Sequence, residues 1–461
     1  MDSDLKSIAA ARRAAETAWD AYQKFLGTDP SLIDEVVQAM SRAVIPHAKR
    51  LGEMAAEETG MGKADDKRIK NLFNSVTVAD YLRDLKTLGV LWQDEKTKIA
   101  AIGEPMGVVA ALIPATNPTS TIIYKVMSAV KAGNAVICAP HPRAINCGLE
   151  TAKILIDVAD GFGLPKGLIQ CLDTVTQEGT AELMTHPRVS IIMATGGPGM
   201  VRAAHKSGKP TLAVGAGNVP CYVHGSVADR LGEVAEMILT SKNWDYGSAC
   251  IAEQAIVADR PIARELRHEL KSRGGYFCTA AEADRLAKVI FHGPGQMNAD
   301  FVAQPAAKLA RAAGISLPPN TRVLVVEESE VGWHRPLSAE KLNPVVAFYE
   351  AKDVDDGLRL SRDIVTFGGW GHSTAIHCDD VGVVGRYSAM SPVGRVIVNT
   401  PTVTGGMGFS TDIDPSFMLG TGTWSGSIVS DNVTALHLIN IKRVAWANRD
   451  WREFYDVYGD I

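Results

Sequence analysis

The sequence is poor in cysteine, and its cysteines are not arranged in closely spaced pairs. Seven occur among 461 residues, and none forms a CxxC motif. An odd, low count of this kind argues against a disulfide-stabilised secreted scaffold and against a structural zinc site. We therefore expect a reduced, cytoplasmic environment and no bound metal.

Long apolar runs and an excess of basic residues are also missing. No stretch approaches the roughly 20 apolar residues that a membrane-spanning helix requires, and the N-terminus lacks the pattern of a signal peptide. The 47 basic and 52 acidic residues give a net charge of −5, whereas nucleic-acid-binding domains are typically basic. The sequence therefore predicts neither a membrane nor a nucleic acid as a partner.

Short apolar runs of strand length, by contrast, are abundant and alternate with helical patterns. Residues 1–95 are predicted to be mainly helical, and the first helix either lies on the core or docks onto a partner or shell. From residue 96, runs such as MGVVAALIPA and AVICAP alternate with helical segments. A second such block covers residues 222–400, and the tail that follows is predicted to be helical. This pattern predicts parallel sheets covered by helices, an architecture typical of nucleotide-binding proteins.

Three short stretches carry residue types suited to cofactor or carbonyl chemistry. IPATNPTS places Asn117 after a buried strand, where its carboxamide could donate to an oxyanion or simply form a turn. MATGGPGMVRAA places Thr195, Gly196 and Gly197 between a strand and a helix, as in a phosphate or nicotinamide site or a tight turn. NWDYGSACIAEQ contains Cys250, and this stretch alone favours a packed thiol over a nucleophile.

Together and in this order, these stretches resemble the CoA-acylating aldehyde dehydrogenases. The similar segments span roughly residues 55–445 and include EETGMGKADDKRIKN, GNAVICAPHPRA, SGKPTLAVGAGNVP and EKLNPVVAFY. The resemblance implies an α/β fold with two parallel-sheet lobes and a small β element for oligomerisation. It implies a dinucleotide-binding domain over 1–221, with oligomerisation strands near 90–104, and a catalytic domain over 222–429. Residues 430–461 would pack on the cofactor domain and the oligomer interface.

The resemblance also implies roles for individual residues. Cys250 corresponds to the nucleophile that attacks the aldehyde carbonyl, and Asn117 with the backbone N–H of Cys250 corresponds to the oxyanion hole. Glu340 corresponds to an acidic residue that holds the nicotinamide ribose. The other cofactor contacts implied by the resemblance are Pro114, Ala115, Thr116, His141, Thr195, Gly196, Gly197 and Gly215.

The informative departure from the wider superfamily lies in LAVGAGNVP. Hydrolytic aldehyde dehydrogenases have a glutamate at the start of this glycine stretch, where it activates water against the enzyme thioester. Here Ala213, Val214 and Gly215 occupy the place, so a thiol such as CoA should release the acyl group instead. His141 stands where many hydrolytic members have a lysine, and is either a contact to the cofactor or CoA or a structural residue.

The predicted reaction therefore converts an aldehyde, CoA and NAD or NADP to acyl-CoA and the reduced cofactor. The alternatives are a hydrolytic or phosphate-linked semialdehyde dehydrogenase and, in another class, a microcompartment cargo or scaffold protein. Acetaldehyde, propionaldehyde and sulfoacetaldehyde are all candidate substrates, and Thr402, Thr404 and Ser410 favour the sulfonate as possible donors. Glu253 is either structural or a proton carrier. A homodimer or homotetramer is expected.

Overall fold

Helices and strands alternate along most of the chain, as the sequence pattern predicts. The computed structural model describes residues 2–458. Its helices are α1 (Ser3–Phe25), α2 (Pro30–Val44), α3 (Ala48–Thr59), α4 (Ala64–Phe73), α5 (Ala79–Asp84), α6 (Pro118–Lys131), α7 (Ile145–Gly161), α8 (Gln177–Thr185), α9 (Pro198–Lys206), α10 (Leu231–Asn243), α11 (Arg260–Ser272), α12 (Ala280–Ile290), α13 (Ala306–Ala312), α14 (Val354–Gly368), α15 (Val381–Met390), α16 (Thr402–Gly406) and α17 (Glu453–Tyr458). Its strands are β1 (Gly89–Asp94), β2 (Ile99–Pro105), β3 (Val108–Ile113), β4 (Ala135–Pro140), β5 (Ile169–Cys171), β6 (Val189–Thr195), β7 (Thr211–Val214), β8 (Val219–Val223), β9 (Glu253–Asp259), β10 (Gly275–Phe277), β11 (Phe291–Gly293), β12 (Gln296–Met297), β13 (Val323–Glu327), β14 (Val345–Ala351), β15 (Gly371–His377), β16 (Val393–Val398) and β17 (Ile439–Ala445).

The first parallel sheet has five strands in the order β5-β4-β3-β6-β7. Every residue of β3 and β4 is buried. Helices cover both faces of the sheet, so neither face of these strands contacts water. Helix α6 is buried along its whole length. Helix α1 contributes Ala11, Ala15, Ala18 and Phe25 to the same core. The first helix therefore packs on the core of this lobe.

The second parallel sheet has seven strands in the order β10-β13-β14-β9-β8-β15-β16. Its strands are joined by parallel pairing throughout. Strand β8 lies near the middle, between β9 and β15, so the predicted boundary after residue 221 falls inside a strand of this sheet. Two parallel sheets with covering helices confirm the predicted α/β fold class with two lobes.

A separate antiparallel sheet of three strands joins a late segment of the chain to two early strands. Strand β2 lies between β1 and β17, and β17 pairs with it from Ile439 opposite Pro105 to Ala445 opposite Ile99. The prediction that the tail is helical is therefore wrong for this segment. Its alternating pattern, INIKRVA, is short, and its pairing partner lies more than 330 residues away in the sequence, beyond the reach of a local pattern.

The chain returns to the first lobe after β16. Met418, Leu419, Val433 and Leu438 are buried in the same hydrophobic cluster as the strands of the five-stranded sheet. This return places residues from the end of the chain beside the carboxyl ends of β3, β6 and β7. Within residues 2–458, no helix is both long and apolar enough to cross a membrane.

Candidate active site

A cleft of about 610 Å³ lies at the carboxyl ends of β3, β6 and β7. The carboxyl ends of parallel strands are where open α/β sheets bind their ligands. The cleft is lined by all eleven residues that the sequence predicts for the site: Pro114, Ala115, Thr116, Asn117, His141, Thr195, Gly196, Gly197, Gly215, Cys250 and Glu340. The structure thus gathers into one place residues that are up to 226 positions apart in the sequence.

A second, much smaller cavity of about 60 Å³ adjoins this cleft. Four residues, Asn117, Thr195, Val214 and Cys250, line both spaces. The remaining wall of the small cavity is mainly apolar and includes Trp244, Ile251, Met407, Phe417 and Leu419. Cys250 therefore stands at the junction of a large cleft and a small, mostly apolar chamber.

Burial and charge both act on the thiol of Cys250. Burial, assisted by the negative charge of Glu340, raises the pKa of Cys250 to about 12, and the cations Arg395 and Lys70 oppose that rise. A thiol with this pKa is mostly protonated near neutral pH, so a reaction at Cys250 would first have to remove its proton. Burial also raises the pKa of Glu340 to about 7.

The glycine stretch after β7 packs directly against the cysteine. The N–H of Gly217 donates to Oε1 of Glu340 at 2.9 Å, and its α-carbon lies next to the carbonyl group of Cys250. Val214, at the end of β7, lines both cavities. Among the described residues that line either cavity, Glu340 is the only carboxylate.

Asn117 is held by residues that the sequence alone did not suggest. Its Oδ1 accepts a hydrogen bond from Lys70 Nζ at 2.6 Å, and its Nδ2 donates to Thr116 Oγ1 at 3.2 Å. Lys70 is buried together with Lys67 and Asp245. Two lysines in the charged stretch ADDKRIKN look like part of a solvated helix face, so no local signal marked them.

Asp245 carries the negative charge of this buried cluster. Burial opposes its ionisation, but Lys70 and Lys67 together hold the pKa of Asp245 below its usual value. Burial lowers the pKa of Lys70 to about 8. Asp245 and Tyr246 have φ values of 48° and 53°, a left-handed conformation that costs non-glycine residues about 1–3 kcal/mol. This strain is held in place by the contacts of the carboxylate.

His372 is a second residue that sequence reasoning missed. It is fully buried, its Nδ1 lies 3.0 Å from Ser373 Oγ, and its Nε2 has no hydrogen-bond partner among the described residues. Burial lowers the pKa of His372 to about 3, so the imidazole is neutral at physiological pH. A Cβ built on Gly217 would lie 3.3 Å from its Cδ2, which places the ring beside the glycine that contacts Cys250.

His141 and Glu253, for which the sequence leaves both a functional and a structural role open, differ in exposure and in distance from the cleft. His141 is exposed at the cleft wall, and its Nδ1 accepts the N–H of Arg143 at 3.1 Å. Glu253 is buried, and its Oε1 accepts the N–H of Thr402 at 3.1 Å. Since Glu253 lines neither cavity, its position agrees with the structural interpretation.

The three hydroxyl groups proposed for a sulfonate are not at the cysteine. Thr402, Thr404 and Ser410 do not line the small cavity. The hydroxyls of Thr404 and Ser410 lie 3.1 Å apart, and that of Ser410 lies 2.7 Å from the hydroxyl of Thr400. The hydroxyl of Thr402, in contrast, is buried and has no hydrogen-bond partner among the described residues. A contact between these residues and a sulfonated substrate therefore stays a prediction.

The dinucleotide expected from the resemblance fits the larger cleft. Thr195 Oγ1, in the cleft wall, is buried and has no hydrogen-bond partner among the described residues. A Cβ built on Gly197 would meet nothing within 4 Å, so the turn leaves open space beside it. An unpartnered polar atom next to an open glycine turn is what a bound nicotinamide or phosphate would complete.

The fold and the site define an α/β protein of the nucleotide-binding type with a cysteine at the centre of its cleft. A family model described as "Aldehyde dehydrogenase family" matches residues 3–277. The bifunctional aldehyde-alcohol dehydrogenase AdhE of Escherichia coli (strain K12) is 37% identical over 446 residues, which are 96% of this chain and 50% of that protein. The chain thus spans about half the length of this curated relative.

Relatives of similar length are also found. The sulfoacetaldehyde dehydrogenase (acylating) of Cupriavidus necator is 34% identical over 93% of this chain and 87% of that protein. The crystal structure of an acetylating aldehyde dehydrogenase from Geobacillus thermoglucosidasius has a TM-score of 0.95 and 42% identity, and covers 97% of this chain and 99% of that one. The chain belongs to the aldehyde dehydrogenase family, within its CoA-acylating branch, as the sequence predicts.

A further solved structure bears on the ligands. The propionaldehyde dehydrogenase of Rhodopseudomonas palustris, solved with bound CoA and an acylated cysteine, has a TM-score of 0.83 and 25% identity. The match covers 95% of this chain and 97% of that one.

Proposed function

We propose that this chain oxidises a short aldehyde to its CoA thioester, with NAD or NADP as the hydride acceptor and Cys250 as the acyl carrier. The observation that carries the proposal is the position of Cys250 between two spaces of unequal size. The small cavity suits the aldehyde, and the larger cleft suits first the dinucleotide and then CoA. The Rhodopseudomonas palustris relative, solved with bound CoA and an acylated cysteine, supports CoA as the acceptor of the acyl group.

The first half-reaction starts at the thiol. Cys250 Sγ, once deprotonated, attacks the aldehyde carbon, and the carbonyl oxygen becomes the oxyanion of a thiohemiacetal. Asn117 Nδ2 and the backbone N–H of Cys250 donate to that oxygen. The nicotinamide, when bound, supplies the acceptor for the hydride that leaves the same carbon. The product at Cys250 is then a thioester.

Candidate contacts to the dinucleotide follow from the cleft wall. Thr195, Gly196 and Gly197 form the turn beside the unpartnered Thr195 hydroxyl. Glu340 would hold the ribose, and Gly215 with the Pro114–Thr116 segment would complete the wall. His141, exposed at the rim, is a contact to the cofactor or to CoA in this scheme.

The second half-reaction needs a nucleophile that the site does not have to activate strongly. Val214 occupies the wall beside Cys250, and no carboxylate lines the small cavity among the described residues. Water, which needs a general base, is therefore a poor acceptor here. A thiol has a far lower pKa than water, and CoA in the cleft would take the acyl group from Cys250.

The size and lining of the small cavity favour one type of aldehyde substrate. Its volume of about 60 Å³ and its wall of Trp244, Ile251, Met407 and Phe417 favour a short, apolar substrate. Lys70 also lines it, but its ammonium group is already bonded to Asp245 and Asn117. We infer an aldehyde of two or three carbons, such as acetaldehyde or propionaldehyde, in preference to sulfoacetaldehyde.

One assay tests the proposal. A panel of acetaldehyde, propionaldehyde, hexanal and sulfoacetaldehyde is supplied with NAD⁺ or NADP⁺, with and without CoA, while reduced cofactor and acyl-CoA are measured. We expect CoA-dependent turnover with the two short apolar aldehydes and none in Cys250→Ala. Equal rates of acid formation without CoA would contradict the acylating assignment, and turnover by Cys250→Ala would contradict the nucleophile.

We also propose that the chain forms a homodimer or a homotetramer through the three-stranded sheet. Trp92, Ile441 and Trp446 on or beside this sheet are each about half exposed, and large exposed apolar groups in one region are typical of an interface. Light scattering of the purified chain checks this. A monomer at micromolar concentration would contradict it.

A further inference from the structure

The ammonium group of Lys70 lies in the interior of the protein and has three oxygen partners. Only 1% of the side chain is exposed. It donates to Asn117 Oδ1 at 2.6 Å, to Ser248 Oγ at 3.0 Å, and to Asp245 Oδ2. A lysine ammonium has three donor hydrogens and no acceptor, so these three contacts use its full capacity.

The contact with Asn117 determines which way the carboxamide faces. An ammonium can only donate, so the atom of Asn117 beside it must be the oxygen. The amide nitrogen is thereby turned to the other side, where one of its hydrogens reaches Thr116 Oγ1 at 3.2 Å. The second hydrogen has no acceptor within the described residues. Asn117 and Cys250 line the same small cavity.

We propose that Lys70 is a positioning residue for the aldehyde reaction, because it fixes the orientation of the Asn117 carboxamide so that N–H, and not C=O, faces the oxyanion formed at Cys250. This inference rests on the proposed function, in which Asn117 stabilises that oxyanion. Without Lys70, the carboxamide could turn over and present its oxygen, which would repel the developing negative charge. The bond to a cation also polarises the amide and strengthens its remaining donor.

The rest of the cluster anchors Lys70 to the segment that carries the nucleophile. Asp245 Oδ2 accepts from Ser248 Oγ at 2.8 Å, and Asp245 Oδ1 accepts from the N–H of Lys63 at 2.6 Å. Ser248 precedes Cys250 by two residues. Helix α4, the start of α6 and the cysteine segment are therefore joined through one buried carboxylate and its lysines.

A different interpretation is that Lys70 is only the counter-ion of Asp245. In that case its removal would damage the fold or the cysteine segment, whether or not Asn117 were present. The two interpretations differ in how the effects of Lys70 and Asn117 combine. Residues that act through one another show strongly non-additive effects, whereas independent ones multiply.

The test is a double-mutant cycle at pH 7 with Lys70→Met, Asn117→Ala and the double variant. Loss of one oxyanion donor lowers kcat by about 100-fold or more, and we expect Asn117→Ala to show a loss of that order. Lys70→Met should lower kcat by about tenfold or more through the misoriented amide. In the Asn117→Ala background, Lys70→Met should add less than about a threefold loss. The KM for the dinucleotide should stay within about twofold throughout, because no cofactor contact changes.

Lys131→Met is the matched control. Lys131 is also a buried lysine, 3% exposed and paired with Asp34, but it lies at the far end of α6. Its effect on kcat should be the same with and without Asn117→Ala. Thermal unfolding of every variant separates loss of fold from loss of rate. If Lys70→Met does not fold, the same cycle is run with Lys70→Gln, whose polar amide can still bond to Asp245 but can accept as well as donate and so no longer fixes the orientation of Asn117. The same non-additive loss is expected.

The outcomes separate the inference from the function on which it rests. If the losses from Lys70→Met and Asn117→Ala multiply in the double variant, Lys70 does not act through Asn117 and the inference is overturned. If Asn117→Ala retains the wild-type kcat, the oxyanion role of Asn117 in the proposed function fails instead, and the inference falls with it.

Discussion

Gly217 lies so close to Cys250 that a Cβ at residue 217 would stand 2.0 Å from the Cys250 carbonyl oxygen. The N–H of the same glycine donates to Glu340 at 2.9 Å. One residue without a side chain therefore sets the distance between the glycine stretch, the nucleophile segment and the carboxylate. A side chain at this position would displace the cysteine segment, the glycine stretch or Glu340.

Gly217→Ala is expected to displace the cysteine segment while leaving the sheets intact. A displacement of about 1 Å from a reactive geometry can cost 100-fold in rate, and we expect kcat to fall by at least about tenfold. Gly199→Ala in α9 is the control, since a Cβ there would meet nothing within 4 Å and alanine favours a helix. Steady-state rates and melting temperatures check both. Full activity in Gly217→Ala would show that the close contact is not required.

The charge of Glu340 predicts a pH-dependent effect on the thiol. With a pKa of about 7, Glu340 is ionised above pH 7, and its negative charge raises the pKa of Cys250. Glu340→Gln removes that charge, so the thiolate fraction at pH 8.5 should rise. We expect iodoacetamide to alkylate Cys250 faster in the variant by a factor of a few, up to about tenfold for one pKa unit.

The same experiment at pH 5.5 provides its own control. There the carboxyl is protonated in the wild type, so the two proteins should react at equal rates. Glu53→Gln, a change of an exposed carboxylate, should behave like the wild type at both pH values. Slower alkylation of Glu340→Gln at pH 8.5 would mean that Glu340 promotes the thiolate.

The local patterns predict the strands that border the cleft, whereas the roles of its residues follow from the family resemblance. Asn117 and Thr195 stand at the carboxyl ends of apolar strands, and parallel pairing brings such ends together. Lys70 and Asp245, in contrast, are 175 residues apart and meet only through tertiary packing. A buried lysine and a solvated one look alike in a sequence.

One wrong prediction and one untested prediction show the limits of local sequence patterns. The pairing of β17 with β2 joins segments more than 330 residues apart, so the local sequence of the tail does not indicate that a partner strand exists. The sequence offers Thr404 and Ser410 as possible donors to a sulfonate because their loop is polar. The loop folds so that these hydroxyls are partners of one another. Polarity in a loop predicts a hydrogen bond but not the group that accepts it.

Val214 offers a way to test why the thioester at Cys250 is expected to react with a thiol and not with water. It lines both cavities beside Cys250, and Val214→Glu would place a carboxylate there. Burial raises the pKa of such a carboxyl towards neutrality, which suits a general base worth about 100-fold or more in rate. We expect formation of free acid without CoA to rise by at least about tenfold, as measured by chromatography of the products.

Val214→Gln is the matched control for this prediction. It has the same size and a similar polarity but no basic carboxylate, so it should not gain CoA-independent turnover. Equal acid formation by the two variants would indicate that access of water, and not the missing base, limits hydrolysis.

Met407, like Trp244, lines both the small cavity and a second space, and truncating Met407 should change the preferred aldehyde. An apolar groove of about 660 Å³, lined by Ile69, Phe73, Val76 and Phe409 among others, shares Met407 with the cavity beside Cys250. Met407→Ala would join the two spaces and give a longer alkyl chain room to extend. One methylene group in an apolar pocket is worth about 1–3 kcal/mol, so kcat/KM for hexanal relative to acetaldehyde should rise by about tenfold or more.

Phe409→Ala distinguishes this effect from a general loosening of the groove. Phe409 lines the groove but not the cavity, so its removal should leave the ratio of kcat/KM values unchanged. Met407 is 6% exposed, and its truncation should also cost about 2–5 kcal/mol of stability, which a denaturation curve would show. An unchanged hexanal-to-acetaldehyde ratio in a folded Met407→Ala protein would mean that the aldehyde chain does not point towards the groove, because a chain directed there would gain the space that the side chain gives up.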